Sequence, residues 1–123
     1  MRRQHSQDLC QYDAGGLDLK AEDGKSDESL ARRVSPSERS VAIVIPARNE
    51  AQSIAGVLRE IASCCSAAVY VIDDASEDET ADRAEAEGVT VLRLLVQLGA
   101  WGAMQTGIRY ASRRGHDVVI TMD

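Results

Sequence analysis

Val41–Glu50 reads Val-Ala-Ile-Val-Ile-Pro-Ala-Arg-Asn-Glu, an apolar run that turns polar within its last three residues. Val41, Ile43, Val44 and Ile45 make it short and β-branched, which predicts a buried strand of a parallel sheet. Pro46 lacks an amide hydrogen and has a fixed φ, so the strand is expected to stop there. Arg48, Asn49 and Glu50 then stand just beyond its C-terminal end. Open α/β sheets bind ligands outside the carboxyl ends of their strands, and this corner is the first candidate for function.

Downstream, Ile54, Val57, Leu58 and Ile61 recur at helical spacing and predict an amphipathic helix ending near Cys64–Ser66. Asn49 is expected as its N-cap, with Glu50 near the positive end of the helix dipole. Ala67–Ile72 reads as a second strand, followed at once by Asp73 and Asp74. Ser76 and Glu79 have the spacing of a capping box, with Asp78 in the first turn, so an alanine-rich helix is expected from there to Gly88. Val89–Leu94 reads as a third strand. Gly99, Gly102 and Gly107 bracket a turn into a third helix, predicted to run to about Arg114 with Met104, Gly107, Ile108 and Ala111 on one face. Val118–Met122 is the fourth strand, and Asp123 follows it. Strictly alternating strands and helices imply an α/β fold, a Rossmann-like parallel sheet with right-handed crossovers.

Upstream of Val41 the sequence is polar and aperiodic, so residues 1–40 are read as a disordered leader, with Ser35-Pro36-Ser37 as the linker into a domain over 41–123. A chain of 123 residues with a tail supports one modest core. The net charge of −6 argues against a nucleic-acid partner, which needs a basic face. Cys10 lies in the tail and Cys64 and Cys65 are adjacent, a poor geometry for a disulfide, which fits a reducing, cytoplasmic setting. No apolar run approaches the roughly 20 residues of a spanning helix, and the N-terminus has no secretory apolar segment. Cys64, Cys65 and His116 lack metal-ligand spacing.

Asp73, Asp74 and Asp123, with the Arg48–Glu50 corner, are expected to project from successive strand ends toward one rim. Carboxylates there can accept hydrogen bonds from a base or ribose, or hold a hard divalent cation. Capping of the following helix explains Asp74 and Ser76 equally well. Asp73 stands apart, because a carboxylate directly after Val71 and Ile72 is partly desolvated without a partner. The spacing of Gly99, Gly102 and Gly107 matches neither a dinucleotide fingerprint nor a P-loop; close helix-to-sheet packing explains those glycines as well, with Trp101 covering the edge of the core.

VAIVIPARNE, then VYVIDDASEDETADRA, LGAWGAMQTGIRYA and DVVITMD, together resemble the N-terminal half of family 2 glycosyltransferases of GT-A fold. The resemblance implies a nucleotide-sugar donor carrying UDP or GDP, and an acceptor that is a polyprenyl phosphate or a saccharide. It implies nucleotide contacts from Pro46, Ala47, Asn49 and Glu50, with Glu50 toward the ribose or base, and from Asp73 and Asp74, with Asp73 on the base. It also places Gly99, Gly102 and Gln105 beside the nucleotide, although Gln97 stands where the family often has asparagine. Asp123 matches the first acid of the family's motif for Mg²⁺ or Mn²⁺. A lipid acceptor would put the protein at the inner face of the membrane, peripherally bound.

The sequence stops at Asp123, without the second acid of that motif or the acceptor half. This chain by itself is therefore expected to be inactive, which detectable sugar transfer by the purified chain would refute. Val118–Met122 is expected to leave an apolar sheet edge open to self-association. Two other classes compete: a phosphoreceiver domain with Asp123 as acceptor, which leaves VAIVIPARNE unexplained, and a non-catalytic nucleotide-binding remnant.

Overall fold

The computed structural model describes residues 38–123, so the expected leader lies outside the described residues up to position 37. The elements are β1 (Val41–Ala47), α1 (Ile54–Cys64), β2 (Ala68–Asp73), α2 (Thr80–Ala86), β3 (Thr90–Arg93), α3 (Gly99–Arg113) and β4 (Val118–Thr121). All strands pair in parallel, in the order β3-β2-β1-β4. The chain therefore travels outward from β1 through β2 to β3 and then crosses back to the other side of β1. That reversal creates a crevice beside the C-terminal end of β1, the place where such sheets take ligands.

Side chains alternate across β1 and sort into two cores. Ile43, Ile45 and Ala47, with Val71, pack against Ile54, Leu58 and Ile61 of α1 and Ala84 of α2. Burying each of the three large α1 side chains contributes roughly 1.5–3 kcal/mol, more than helix propensity supplies. Ala42, Val44, Tyr70 and Ile72 face the other way, against Ala103 and Ala111 of α3. The predicted α1 stripe is the one observed, with Val57 partly buried beside it. In α3 the buried residues are Ala103, Gly107 and Ala111, while Ile108 is 38% exposed. The predicted face is corrected: the sheet comes so close that only small side chains fit beneath the helix. Trp101, expected over the core edge, is instead 69% exposed.

Pro46 does not end β1, which continues to Ala47 and stays in register with Ile72 and Asp73 of β2. The reason lies in the direction of its missing donor. Val44 accepts from Met122 on the β4 side, so Pro46, two residues on, also points toward β4, beyond the last paired residue. β3 is shorter than expected, although Leu94 still donates to the Asp73 carbonyl. At its edge Arg93 is clamped by Glu85 and Asp82, which hold the guanidinium charged.

Helix starts also differ from expectation. Ser53, not Asn49, occupies the N-cap of α1, and the Glu50 carbonyl accepts from Ser53 and Ile54. α2 begins at Thr80, with Glu79 at its N-cap, and Glu79 pairs with Arg83 in place of the capping-box bond. Its stop at Gly88, φ +81°, is as predicted. At the opposite end of the sheet Ser40 enters the fold: its carbonyl accepts from Asp117 and Val118, and its amide donates to Asp117 Oδ2. His116, which the sequence marks only as lacking metal-ligand spacing, bridges Ser40 Oγ at 2.7 Å and the Tyr70 hydroxyl at 2.6 Å.

Candidate functional site

The β1 and β2 ends meet side by side, with Ala47 opposite Asp73 and the Asp74 amide donating to the Ala47 carbonyl. The loops that follow are sewn together by side chains. Asn49 donates its amide to Ser76 Oγ and accepts from the Glu77 amide, both at 2.9 Å. Glu50 donates its amide to Thr80 Oγ1, and Arg83 donates to the Ala51 carbonyl. Asn49 and Ala75 take φ of +52° and +55°. Asparagine tolerates that region, whereas for alanine it is strained by about 1 kcal/mol or more, so the bonds around these loops impose the shape.

Ser76 is thus an acceptor for Asn49 and no helix cap, and the capping role expected of it falls to Asp78. Asp78 Oδ1 accepts from the amide and the hydroxyl of Thr80, and Oδ2 accepts from the Ala51 amide at 3.2 Å. The Thr80 hydroxyl, ahead of the backbone bonds, holds the Asp78 carboxyl below its ordinary value of 3.8. A lowered pKa in the fold means stability that is complete above that value and is lost as pH falls through the folded one. Acid unfolding followed by circular dichroism is therefore expected to be less steep below pH 3.8 in Asp78→Asn than in wild type. Identical slopes would contradict the assignment.

The two acids after β2 part company. Asp74 is 3% exposed and does not open onto the rim as expected. Its oxygens accept from the Leu98 amide at 2.6 Å and the Gly99 amide at 2.8 Å, so it caps α3 on the far side of the sheet and not the helix that follows it. Asp73, 5% exposed, keeps Oδ1 buried with no hydrogen-bond partner among the described residues. A native fold rarely leaves a carboxylate oxygen in that state without a use for it.

Around Asp73, the Ala47 and Pro46 positions form the β1 lip of the crevice, and Glu50 lies exposed, accepting from Ser53 Oγ at 2.7 Å. Arg48 is the cation here that the sequence reading named without a role. Its Nη1 donates to the Asp74 carbonyl at 3.1 Å and Nη2 stands 3.7 Å from Glu77. The signal was present in the sequence as the first polar side chain after β1. Of the glycine segment, Gly99 reaches the rim with φ +79°, but its amide is already held by Asp74. Gly102 gives Leu98 room, since a Cβ there would lie 2.7 Å from Leu98 Cβ. Gln105 is exposed about 9 Å further along α3, away from Asp73.

Asp123 is exposed just beyond β4, across β1 from Asp73. Two strand spacings, about 10 Å, separate the two acids laterally. Among the described residues no three His, Cys, Asp or Glu converge, and Asp123 offers one exposed hard oxygen donor at this end of the sheet. That donor suits Mg²⁺ or Mn²⁺ held mainly by phosphate and water. A separate cavity of about 490 Å³, lined by Leu58, Ile61, Cys65, Tyr70 and Glu87 among others, lies at the other end of the sheet and is remote from these acids.

Residues 42–123 match the model of glycosyl transferase family 2. The undecaprenyl-phosphate mannosyltransferase of Micrococcus luteus is 36% identical over 89 residues, covering 68% of this chain and 37% of that protein. The undecaprenyl-phosphate 4-deoxy-4-formamido-L-arabinose transferase of Klebsiella pneumoniae is 31% identical over 99 residues, covering 72% and 29%. Among solved structures, glucosyl-3-phosphoglycerate synthase from Mycobacterium tuberculosis, in complex with Mn²⁺, uridine diphosphate and phosphoglyceric acid, superposes with a TM-score of 0.59 at 27% identity, covering 71% of this chain and 33% of that one. The chain spans about a third of the length of the curated relatives it matches. Among the described residues no helix is long and apolar enough to cross a membrane. A parallel sheet with its crevice beside β1, acids at the strand ends and a family match across nearly all the described residues lead to one statement: the chain belongs to glycosyl transferase family 2.

Proposed function

We propose that residues 41–123 hold the nucleotide of a nucleotide-sugar donor in the crevice beside β1. The observation that carries this reading is Asp73, a buried carboxylate with an unpartnered oxygen beside the C-terminal end of β1. A uracil or guanine base offers ring N–H donors, and such a carboxylate needs donors. Glu50 is assigned to the ribose side, Pro46 and Ala47 to the crevice wall, and Asn49 to fixing the loops that frame it. Asp74 and Gly99 support the site by anchoring α3, with Gly102 and Gln105 on that helix in outer positions. Asp123 would supply one ligand to a divalent cation at the diphosphate. Such a cation, when bound, offsets the negative charge developing on the departing diphosphate. The sugar is proposed to pass to a polyprenyl phosphate or a saccharide, in the whole protein.

The phosphoreceiver reading, in which Asp73 and Asp74 after β2 would form the acidic pair, loses its footing, because Asp74 is occupied by the Leu98 and Gly99 amides. Calorimetric titration of UDP and GDP in the presence of Mn²⁺ tests the donor reading. Asp73→Asn is expected to weaken nucleotide binding roughly 10- to 100-fold, the worth of a charged hydrogen bond. Its unfolding temperature should not fall, since a buried, unpartnered charge is removed. Unchanged affinity in Asp73→Asn, or no nucleotide binding by wild type, would sink the reading.

A further inference from the structure

Between β3 and α3 runs a short stretch with both of its ends tied to the two acids that follow β2. Leu94 donates its amide to the Asp73 carbonyl at 2.9 Å, and the Leu98 and Gly99 amides are held by the Asp74 carboxylate. Between these ties, residues 95–97 make no hydrogen bond among the described residues. Leu94 packs on the core, whereas Leu95 is 99% exposed and Val96 64%. An exposed aliphatic side chain is ordinary on a protein surface. These two, however, stand beside an unmet need of another kind. Asp73, 5% exposed, keeps Oδ1 buried without a hydrogen-bond partner, and Leu95 is a single Cα step, about 3.8 Å, from the residue bonded to its carbonyl.

One kind of ligand group meets both needs. A heterocyclic base carries N–H donors on its edge and a flat face that packs on aliphatic side chains, so an edge on Asp73 leaves the face for Leu95 and Val96. A phosphate has no N–H to offer and is repelled by the carboxylate. We propose that residues 95–97 are a strap that closes on the base of the donor nucleotide, with Leu95 and Val96 covering its face while Asp73 takes its edge. This closure rests on the donor reading and adds to it two residues that act by apolar contact alone. Because both ends are already anchored, only three residues are ordered when the ligand arrives, which keeps the entropy cost small. The closed strap also keeps water from the Asp73 hydrogen bond, which is stronger for it.

The test compares the full chain with Leu95→Ser and Leu95→Met, by calorimetric titration of UDP and of GDP with Mn²⁺ and by hydrogen exchange of the 95–97 amides with and without nucleotide. Closure predicts that nucleotide slows exchange at 95–97. Leu95→Ser is expected to weaken nucleotide binding about 10-fold, the worth of covering part of a leucine, and Leu95→Met to retain it. Melting temperatures should not move, because the side chain is open to solvent in the free protein. A purely structural role for Leu95 would instead lower the melting temperature. If wild type binds nucleotide and Leu95→Ser binds it equally well, the strap is overturned and the donor reading stands; if wild type binds neither UDP nor GDP, both fall. Exchange at 95–97 that nucleotide does not slow overturns the strap, as does exchange already slow in the free chain, which would place another segment or a second copy over Leu95.

Discussion

Asp74→Ala is expected to lower the unfolding free energy by about 3 kcal/mol, as read by urea denaturation, without touching a single apolar contact. The Asp74 carboxylate, 3% exposed, takes the Leu98 amide at 2.6 Å and the Gly99 amide at 2.8 Å. These are amides at the start of α3, where the helix offers no partners of its own. Leu98, at the N-cap, has no side-chain oxygen, so no residue of the helix start can replace the acid. Loss of two charge-assisted bonds, each worth about 1.5–3 kcal/mol, and the orphaning of both donors set the magnitude; water entering the truncated site limits it. Asp74→Asn keeps one acceptor oxygen and should lose about half as much. A loss below about 1 kcal/mol in Asp74→Ala would mean that α3 is seated by its packing alone.

Gly107→Ala is the second large effect, and here two terms of opposite sign compete. Alanine in a helix interior is favoured over glycine by about 1 kcal/mol. A Cβ at Gly107, however, would meet Val44 Cγ1 at 2.3 Å and Ile72 Cγ1 at 2.9 Å, side chains with no exposed surface. Neither can swing aside, because both belong to the central strands. Overpacking of this kind costs about 3 kcal/mol, so the net loss is about 2 kcal/mol, or ~10 °C in the melting temperature of a domain this size. Gly56, in the middle of α1, supplies the control: nothing lies within 4 Å of a Cβ there. Gly56→Ala should raise the melting temperature by the propensity term that Gly107→Ala cannot express. If both substitutions stabilise, the close approach of α3 to the sheet is wrong.

These two residues also mark where the sequence was legible and where it was not. β1 and the α1 stripe could be read because large apolar side chains recur with the period of their element, and the period survives folding. Asp73 could be singled out because its surroundings, Val71 and Ile72, are its sequence neighbours. Asp74 could not be separated from it, since the amides that claim it lie 24 and 25 residues away, beyond a strand and a helix. The face of α3 was misread for a related reason. Periodicity weighs side chains by apolarity, and here the buried stripe is Ala103, Gly107 and Ala111, while Trp101 and Ile108 face outward. Ser76 and Glu79 imitate a capping box, but Thr80 and Asp78, inside the same stretch, bond to each other and move the helix start. Pro46 misled because a missing donor matters only on the side where a partner strand lies.

The central place of β1 has a consequence for the order of assembly. Its partners on the two sides are separated from it by very different lengths of chain: Ala42 pairs with Ala68, but Val41 pairs with Val118. Closing the longer loop costs about 1 kcal/mol more in chain entropy. The β1-α1-β2 crossover unit is therefore expected to form first, with the side of β1 facing β4 open until the most distant strand arrives. A strand that is the innermost in space is, on one side, the last to be covered in time.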